Sequence, residues 1–197
     1  MTSGAILIGG QARRLQRIDK SQLLVGGRTI LQRQIEALAP LSDDVMLVGG
    51  RTGDAPAPDC RRVPDVVAGL GPLAGLHAAL RESRHDIVVL LACDMPFVTS
   101  EFLGQLVAKA ATVDVAVPRT ERGRHPLCGA YRRQCLPTVA RRLEARQLAM
   151  QGLLAELEVA TMEPEELASF GVPERLRANI NTPADLDDLE RLPSHKQ

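Results

Sequence analysis

Two groups of residues in this 197-residue chain have the types and spacing that phosphate chemistry requires. The first is a basic loop that follows two consecutive glycines, Gly9-Gly10, which allow a sharp turn and bring bare backbone N–H groups close to an anion. The positive charges of this loop are Arg13, Arg14, Arg17 and Lys20. The second is Asp94, a carboxylate directly after an apolar run, of the kind that holds Mg²⁺ together with substrate phosphates. Together they predict a site for a polyanion such as a triphosphate.

Each group also has a plainer interpretation. The basic loop fits a solvated turn, because it has neither the Gly-Lys-Ser/Thr ending of a P-loop nor the third glycine of the dinucleotide fingerprint. Asp94 fits a residue that caps a turn, and Asp65, which follows a proline, fits one that bonds its own backbone. The four histidines are dispersed, and no Gly-x-Ser-x-Gly elbow is present. With no nucleophile in evidence, any chemistry is predicted to come from positioning and charge neutralisation, as in phosphoryl and nucleotidyl transfer.

Short apolar runs alternate with helical patterns along the chain, which predicts a mostly parallel α/β sheet with helices on both faces. The predicted strands are 5–8, 45–48, 62–63, 86–92, 113–117, 127–131 and 157–162. Three helices are predicted to start after Thr29, at Pro72 and after Thr99 or Ser100. Four more are predicted at 136–146, 151–154, 164–169 and 183–192. Residues 119–125 are expected to form a loop. The run 87–91 is the most continuous, which indicates burial on both faces of a parallel sheet.

Ligands of such sheets bind at the carboxyl ends of the strands. The sequence therefore predicts that Gly9-Gly10, Gly49-Gly50, Asp94 and the segment before Gly71 gather along one edge. Pro72 suits the first turn of a helix, because its missing N–H would have no partner there. The glycines before it would allow a ligand to approach that helix start.

Composition limits the class of partner. Lys and Arg number 24 and Asp and Glu also number 24, and the chain has no Trp, one Tyr and three Phe, which argues against nucleic-acid and anionic-membrane partners. None of the four cysteines forms a Cys-x-x-Cys pair, so neither a zinc site nor a disulfide scaffold is expected. No stretch resembles a signal peptide or a membrane span, so a cytoplasmic location is expected. The length predicts one domain over residues 1–192, with a loose tail at 193–197.

Four motifs, in order along nearly the whole chain, resemble those of the molybdenum cofactor guanylyltransferases, MobA-like members of the nucleotide-sugar-type nucleotidyltransferases. The motifs are Leu7-Ile8-Gly9-Gly10 with Arg14 and Asp19-Lys20, Asp65 with Gly71-Pro72-Leu73-Ala74-Gly75, Cys93-Asp94-Met95-Pro96-Phe97, and Asn179-Ile180-Asn181-Thr182-Pro183. The resemblance implies a single-domain, three-layer α/β/α Rossmann-like nucleotidyltransferase fold. It also implies a Mg²⁺-dependent enzyme that transfers GMP from GTP to a molybdopterin-type cofactor and releases pyrophosphate.

The same resemblance assigns roles to residues at the matching positions. It implies GTP contacts at Leu7, Gly9, Gly10, Lys20, Asp65, Gly71 and Asp94. It implies catalytic roles for Arg14, Lys20 and Asp94, with Asp94 also on Mg²⁺. Asn179 and Asn181 would face the pterin substrate. Molybdoenzymes or other proteins of cofactor biosynthesis are the implied protein partners.

Two positions depart from the family pattern. Leu15-Gln16 stands where the family usually has Met-Gly, and Val48-Gly49-Gly50 offers no side-chain amide where the second strand usually ends near an asparagine. Cytidylyl transfer to the same cofactor is one alternative, but the related cytidylyltransferases usually lack the second glycine of the first motif and the Gly71–Gly75 segment. A protein that holds the cofactor without catalysis is the other alternative, and Leu15-Gln16 keeps it open.

Overall fold

Strands and helices alternate along the chain, and the computed structural model describes them over residues 1–8, 20–50, 57, 59–64 and 69–170. The strands are β1 (Thr2–Leu7), β2 (Leu24–Val25), β3 (Arg28–Thr29), β4 (Ser42–Val48), β5 (Arg61–Val63), β6 (Ile87–Ala92), β7 (Val115–Thr120), β8 (Gly123–Arg124), β9 (Cys128–Arg132) and β10 (Val159–Met162). The helices are α1 (Ile30–Leu38), α2 (Pro72–Glu82), α3 (Ser100–Ala110), α4 (Leu136–Glu144), α5 (Met150–Leu154) and α6 (Pro164–Ala168). Short 3-10 turns cover Lys20–Gln22 and Arg133–Cys135.

The main sheet has eight of the described strands, in the order β10-β7-β9-β6-β1-β4-β5, with β8 paired to β7. Strand β1 runs parallel to both β4 and β6, and the outer pairs β4–β5 and β7–β10 are also parallel. Strand β9 is antiparallel to β6 and to β7. The expectation of a mostly parallel sheet is confirmed, and so is the burial of β6 on both faces, although one of its two neighbours is antiparallel.

Helices cover both faces of the sheet. On one face, α1, α3 and α6 pack over residues such as Ile6, Val89 and Ala116. On the other face, α2, α4 and α5 pack over residues such as Ala5 and Leu90. Successive residues of a strand therefore enter different cores, as the two-residue period of a strand requires. The three-layer α/β/α expectation is confirmed.

Local signals place the starts of three helices as expected. Thr29 caps α1, where its hydroxyl accepts from the Gln32 backbone N–H at 3.1 Å and the Gln32 side chain accepts from the Thr29 N–H at 2.9 Å. Thr99, rather than Ser100, caps α3. Pro72 is the first residue of α2. These starts depend on contacts within one turn, so the sequence predicts them well.

Two other boundaries differ from expectation, the start of β1 because of buried polar residues and the end of α4 because of a left-handed residue. β1 starts at Thr2 rather than Ala5, since the Thr2 hydroxyl donates to the Leu41 carbonyl at 2.9 Å and Ser3 donates to the Asp44 carboxylate at 2.7 Å. Helix α4 ends at Glu144 rather than at Arg146, which adopts a left-handed φ of 55°.

The expected loop over residues 119–125 is instead a tight hairpin. Its ends pair as Arg119 with Arg124 and Thr120 with Gly123. Gly123 has a φ of 103°, and the Thr120 hydroxyl accepts from the Arg122 N–H at 3.2 Å, so the chain reverses over two residues.

The expected helix 183–192 and the expected tail 193–197 lie outside the described residues. No helix within the described ranges is long and apolar enough to cross a membrane.

Candidate active site

Four strands end level with one another at one edge of the sheet. Leu7, the last residue of β1, pairs with Val48 of β4 on one side and with Ala92 of β6 on the other. Val48 pairs in turn with Val63, the last residue of β5. Ile8, Gly49 and the Cys93-Asp94 turn therefore leave the sheet side by side, as predicted for Gly49-Gly50 and Asp94. Gly9-Gly10, also predicted for this edge, lies outside the described residues.

Behind β4 the chain turns on two glycines that other residues could not replace without strain. Gly49 and Gly50 have φ angles of 81° and 73°, in the region that favours glycine. A Cβ on Gly50 would also lie 3.1 Å from Cδ1 of Ile8, the residue that follows β1. The two chain segments are therefore packed closely just above the ends of β1 and β4.

The N-terminus of α2 lies on the same side. The helix packs against β1, β4, β5 and β6, and just after its C-terminus the Arg84 N–H donates to Ser3 and Asp44 at the opposite edge of the sheet. Gly71 precedes it with a φ of 70° and a ψ of −160°, a conformation essentially restricted to glycine. Among the residues that the structure describes, no side chain caps this helix start. Pro72 has no N–H and the Ala74 N–H donates to the Gly71 carbonyl at 3.2 Å, so the Leu73 N–H is the first-turn group that can donate to an anion. Gly71 is exposed, and a Cβ there would meet no atom of the described residues within 4 Å. An approaching ligand therefore has room.

Asp94 lies two residues after β6, half-buried, in a loop that other elements hold from both sides. The Gln34 side chain of α1 donates to the Ala92 carbonyl at 2.6 Å and to the Met95 carbonyl at 3.2 Å. The Ala92 N–H donates to the Leu127 carbonyl at 2.8 Å. Asp94 thus extends from a backbone segment that the tertiary structure positions.

The segment that leads into β9 lies beside this loop and is itself well anchored. The buried hydroxyl of Tyr131 donates to the Pro126 carbonyl at 2.6 Å, and the His125 N–H donates to the Pro118 carbonyl at 2.9 Å. The His125 ring lies 2.8 Å from the Thr120 hydroxyl. Burial, with a smaller contribution from the charge of Arg122, lowers the pKa of His125, so its imidazole is neutral at neutral pH.

The structure gives the positions of some of the sequence-predicted site residues. Leu7 and Asp94 lie at the shared edge, and Gly71 lies at the start of α2. The backbone of Lys20 starts the first 3-10 turn. The remaining predicted residues lie outside the described part of the chain, namely Gly9, Gly10, Arg14, Asp65, Asn179 and Asn181.

Sequence reasoning missed Gln34, although a signal for it was present. Gln34 follows Ile30 by four residues and precedes Leu38 by four, so helical spacing places it on the buried face of α1. A polar residue on such a face predicts a hydrogen-bonded partner across the core.

Mg²⁺ fits the donors that the structure describes. Within the described ranges, no three His, Cys, Asp or Glu side chains group as a metal cluster. Mg²⁺ does not need one, because it usually takes one or two protein carboxylates and completes its shell with substrate phosphates and water. A half-buried carboxylate at a sheet edge meets that requirement.

Comparisons with known proteins cover most of the chain. Residues 4–161 match the family described as MobA-like NTP transferase domain. A relative from Pelotomaculum thermopropionicum, named "Probable molybdenum cofactor guanylyltransferase", is 32% identical over 93% of this chain and 89% of its own length.

Solved structures share the fold. Molybdopterin-guanine dinucleotide biosynthesis protein A from Archaeoglobus fulgidus superposes with a TM-score of 0.78 at 26% identity, covering 95% of this chain and 96% of that one. The 2-C-methyl-D-erythritol 4-phosphate cytidylyltransferase from Thermus thermophilus gives a TM-score of 0.69 at 19% identity, covering 96% and 97% of the two chains. The family match covers most of the chain, including the strand ends that meet at Leu7 and the loop of Asp94. The chain therefore belongs to the MobA-like NTP transferase family, as its motifs predicted, and is a nucleotidyltransferase.

Proposed function

We propose that this chain transfers GMP from GTP to a molybdopterin-type cofactor, forming the guanine dinucleotide form and releasing pyrophosphate. The observation that carries the proposal is the shared edge where Leu7, the Asp94 loop and the glycine-led start of α2 come together. The names of relatives support guanine as the base, since they include molybdenum cofactor guanylyltransferase and molybdopterin-guanine dinucleotide biosynthesis protein A.

GTP is proposed to bind along this edge. Leu7, half-buried at the end of β1, and the backbone of Gly9-Gly10 would contact the nucleotide. Gly71 would admit it to the start of α2, where backbone N–H groups and the helix dipole favour an anion. Asp65 is proposed to bind the nucleotide as well.

Asp94 is proposed to hold Mg²⁺ together with the phosphates of GTP. When bound, the ion would neutralise phosphate charge that otherwise repels an anionic acceptor. Asp94 suits this role because the sheet and α1 hold the backbone on both sides of it.

The transfer joins a phosphate oxygen of the acceptor to the α-phosphorus of GTP, and the bond from that phosphorus to pyrophosphate breaks. Arg14 and Lys20 are proposed to stabilise the negative charge that builds up on the phosphates and on the departing pyrophosphate. Asn179 and Asn181 are proposed to bind the pterin and so to orient its phosphate. Positioning and charge stabilisation then supply the rate without a covalent intermediate.

The wider setting follows from the substrates. A cytoplasmic location is proposed because GTP is a cytoplasmic nucleotide, and the product would pass to molybdoenzymes or to other proteins of cofactor biosynthesis. The domain is proposed to extend to residue 192.

A turnover assay with each of the four NTPs, Mg²⁺ and molybdopterin tests the activity through pyrophosphate release. We expect release with GTP, and we expect GTP with Mg²⁺ to raise the melting temperature, because a ligand at about 100 times its Kd stabilises the folded state by about 2.7 kcal/mol. Faster turnover and a larger shift with CTP would favour the cytidylyltransferase alternative. A GTP-induced shift without pyrophosphate release would favour the non-catalytic binding protein.

A further inference from the structure

Gln34 occupies a buried position that packing alone would give to an apolar residue. It is 0% exposed. The other buried residues of α1 are apolar, namely Ile30, Leu31, Ala37 and Leu38. Burial of an amide carries an unfavourable free energy unless the amide is hydrogen-bonded. In addition, its Oε1 atom is buried and finds no hydrogen-bond partner within the described part of the chain. The residue is therefore a poor choice for packing only.

The hydrogen bonds that Gln34 makes are specific to one loop. Its Nε2 atom donates to the Ala92 carbonyl at 2.6 Å and to the Met95 carbonyl at 3.2 Å. Carbonyl oxygens only accept, so the amide nitrogen must face them and the orientation of the side chain is determined. The two carbonyls stand on either side of Cys93-Asp94. One side chain thus holds both ends of the turn that carries the Asp94 carboxylate.

A second contact joins the same loop to the segment that follows the basic loop. Phe97 packs against Val25 of the β2–β3 hairpin and against Ile30 of α1. The Ile30 N–H donates to the Leu23 carbonyl at 3.0 Å, directly after the turn that starts at Lys20. This small apolar cluster therefore connects α1, the segment after Lys20 and the Asp94 loop.

We propose that Gln34 is a positioning residue, whose amide holds the Cys93-Asp94 turn in the conformation in which Asp94 binds the metal and the nucleotide. The proposal rests on the proposed function in one respect, the role of Asp94. Loops keep a binding group in place only when other groups restrain them, and a buried donor on a helix provides such a restraint.

The test compares Gln34→Met with Gln32→Met. Methionine has a similar length but cannot donate to either carbonyl. Gln32 is the matched control, because it lies on the same helix, is exposed and also bonds the backbone, but at Thr29. Two measurements are made without the acceptor: hydrogen exchange of peptide 92–98 in the metal-free protein, and Mn²⁺ binding in the presence of GTP by electron paramagnetic resonance.

In Gln34→Met we expect exchange of this peptide to rise, and Mn²⁺ affinity to fall, each by about tenfold, the scale set by the loss of one or two hydrogen bonds. Gln32→Met should leave both at wild-type values. In an Asp94→Asn background, Gln34→Met should change Mn²⁺ affinity no further, since the residue acts through Asp94.

Unchanged exchange at 92–98 in Gln34→Met would overturn the proposal, and so would an increase spread evenly over the protein, which would make Gln34 a residue of general stability. Gln34→Glu, which keeps the volume, covers the case in which Gln34→Met does not fold. At about pH 5 the buried acid is protonated, donates again and should protect the loop, and this protection should be lost as the pH rises through the pKa of the acid, which burial raises. If the wild-type protein transferred no GMP, the proposed function would be rejected. A loop loosened in the Gln34 variant would still support the positioning role.

Discussion

Asp94 lies in the loop that follows β6, so its position depends on the contacts of that loop and not on strand pairing. The half-buried carboxylate follows a strand whose central residues are fully buried, and Gln34 holds the backbone on either side of it. An ion that takes only one or two protein carboxylates depends strongly on each of them. Loss of this charge should therefore affect metal-dependent chemistry more than folding.

We expect Asp94→Asn to fold normally, to retain some nucleotide binding and to lose Mg²⁺-dependent transfer by about a hundredfold or more, as is typical when one charge-stabilising contact is removed. Titration of Mg²⁺ against pyrophosphate release measures the effect. Asp86→Asn is the matched control, because Asp86 precedes the same strand at the opposite edge, where its carboxylate pairs with Arg132 at 2.9 Å. Equal rates and equal metal dependence in Asp94→Asn and wild type would remove Asp94 from the mechanism.

At the scale of elements, the start of α2 is distinguished by the backbone conformation of its cap. Its cap is a glycine in a conformation essentially closed to other residues, and no side chain in the described part of the chain bonds the first turn. Thr29 and Thr99 cap α1 and α3, whereas α4 and α5 start without a side-chain cap, as α2 does. Of the caps of these five helices, the cap of α2 alone has a positive φ. The difference is consistent with phosphate contacts at α2.

Gly71→Ala tests whether the start of α2 requires glycine at this position. We expect it to lower the free energy of unfolding by about 1 to 3 kcal/mol, because alanine is strained at a φ of 70°, and to weaken GTP binding as the start of α2 shifts. Thermal melts and a GTP titration measure the two effects.

Gly104→Ala is the control for this substitution. Gly104 lies inside α3, and a Cβ there would lie 3.6 Å from Leu41, an ordinary contact. Alanine should raise stability by up to about 1 kcal/mol through helix propensity and leave GTP affinity unchanged. The same gain in stability from Gly71→Ala would show that the α2 start is not under backbone constraint.

At the scale of the whole molecule, the two edges of the sheet have different tasks. The amino edge carries a buried polar cluster around Asp44, whose side chain is 0% exposed. Its carboxylate accepts from Ser3 at 2.7 Å, from Nε of Arg61 at 2.8 Å and from the Arg84 N–H at 3.1 Å. These bonds join β1, β4, β5 and the connection before β6, far from the carboxyl edge. The cluster holds the central strands together.

Acid should weaken this cluster. Burial alone would raise the pKa of Asp44, but the hydrogen bonds from Arg61 and Ser3 outweigh it and lower the pKa from 3.8 to about 2. Between these values the unfolded chain binds more protons than the folded one, so the contribution of Asp44 is present above about pH 4 and is lost as the pH falls towards 2. That contribution is about 2 kcal/mol in the free energy of unfolding.

Denaturant unfolding of wild type and Asp44→Asn at several pH values tests this. The variant should be less stable at pH 7 by about 3 kcal/mol, because Arg61 loses its buried partner, and the acid-dependent decrease should be smaller. Asp59→Asn, at an exposed aspartate, is the control and should follow wild type. If the free energy of unfolding of Asp44→Asn fell in acid as much as that of wild type, other carboxylates would be responsible for the acid sensitivity.

Features that depend on near neighbours and on periodicity could be predicted from the sequence alone. The caps at Thr29 and Thr99 and the proline at the start of α2 act within one helical turn, and the apolar runs distinguish buried strands from helices. The order of these elements predicts a three-layer α/β/α fold, and motifs of characteristic spacing identify the family.

How distant segments meet could not be predicted in this way. The level ends of β1, β4 and β6, the antiparallel position of β9 and the hairpin at 119–124 depend on strand pairing across many residues, for which local sequence carries no register. The link from Gln34 to Ala92 and Met95 joins residues that are far apart in the chain, and a glutamine alone does not say which carbonyls it will reach. The loop of Asp94 is therefore positioned by packing, because hydrogen bonds between distant elements form only once the sheet and α1 are in place.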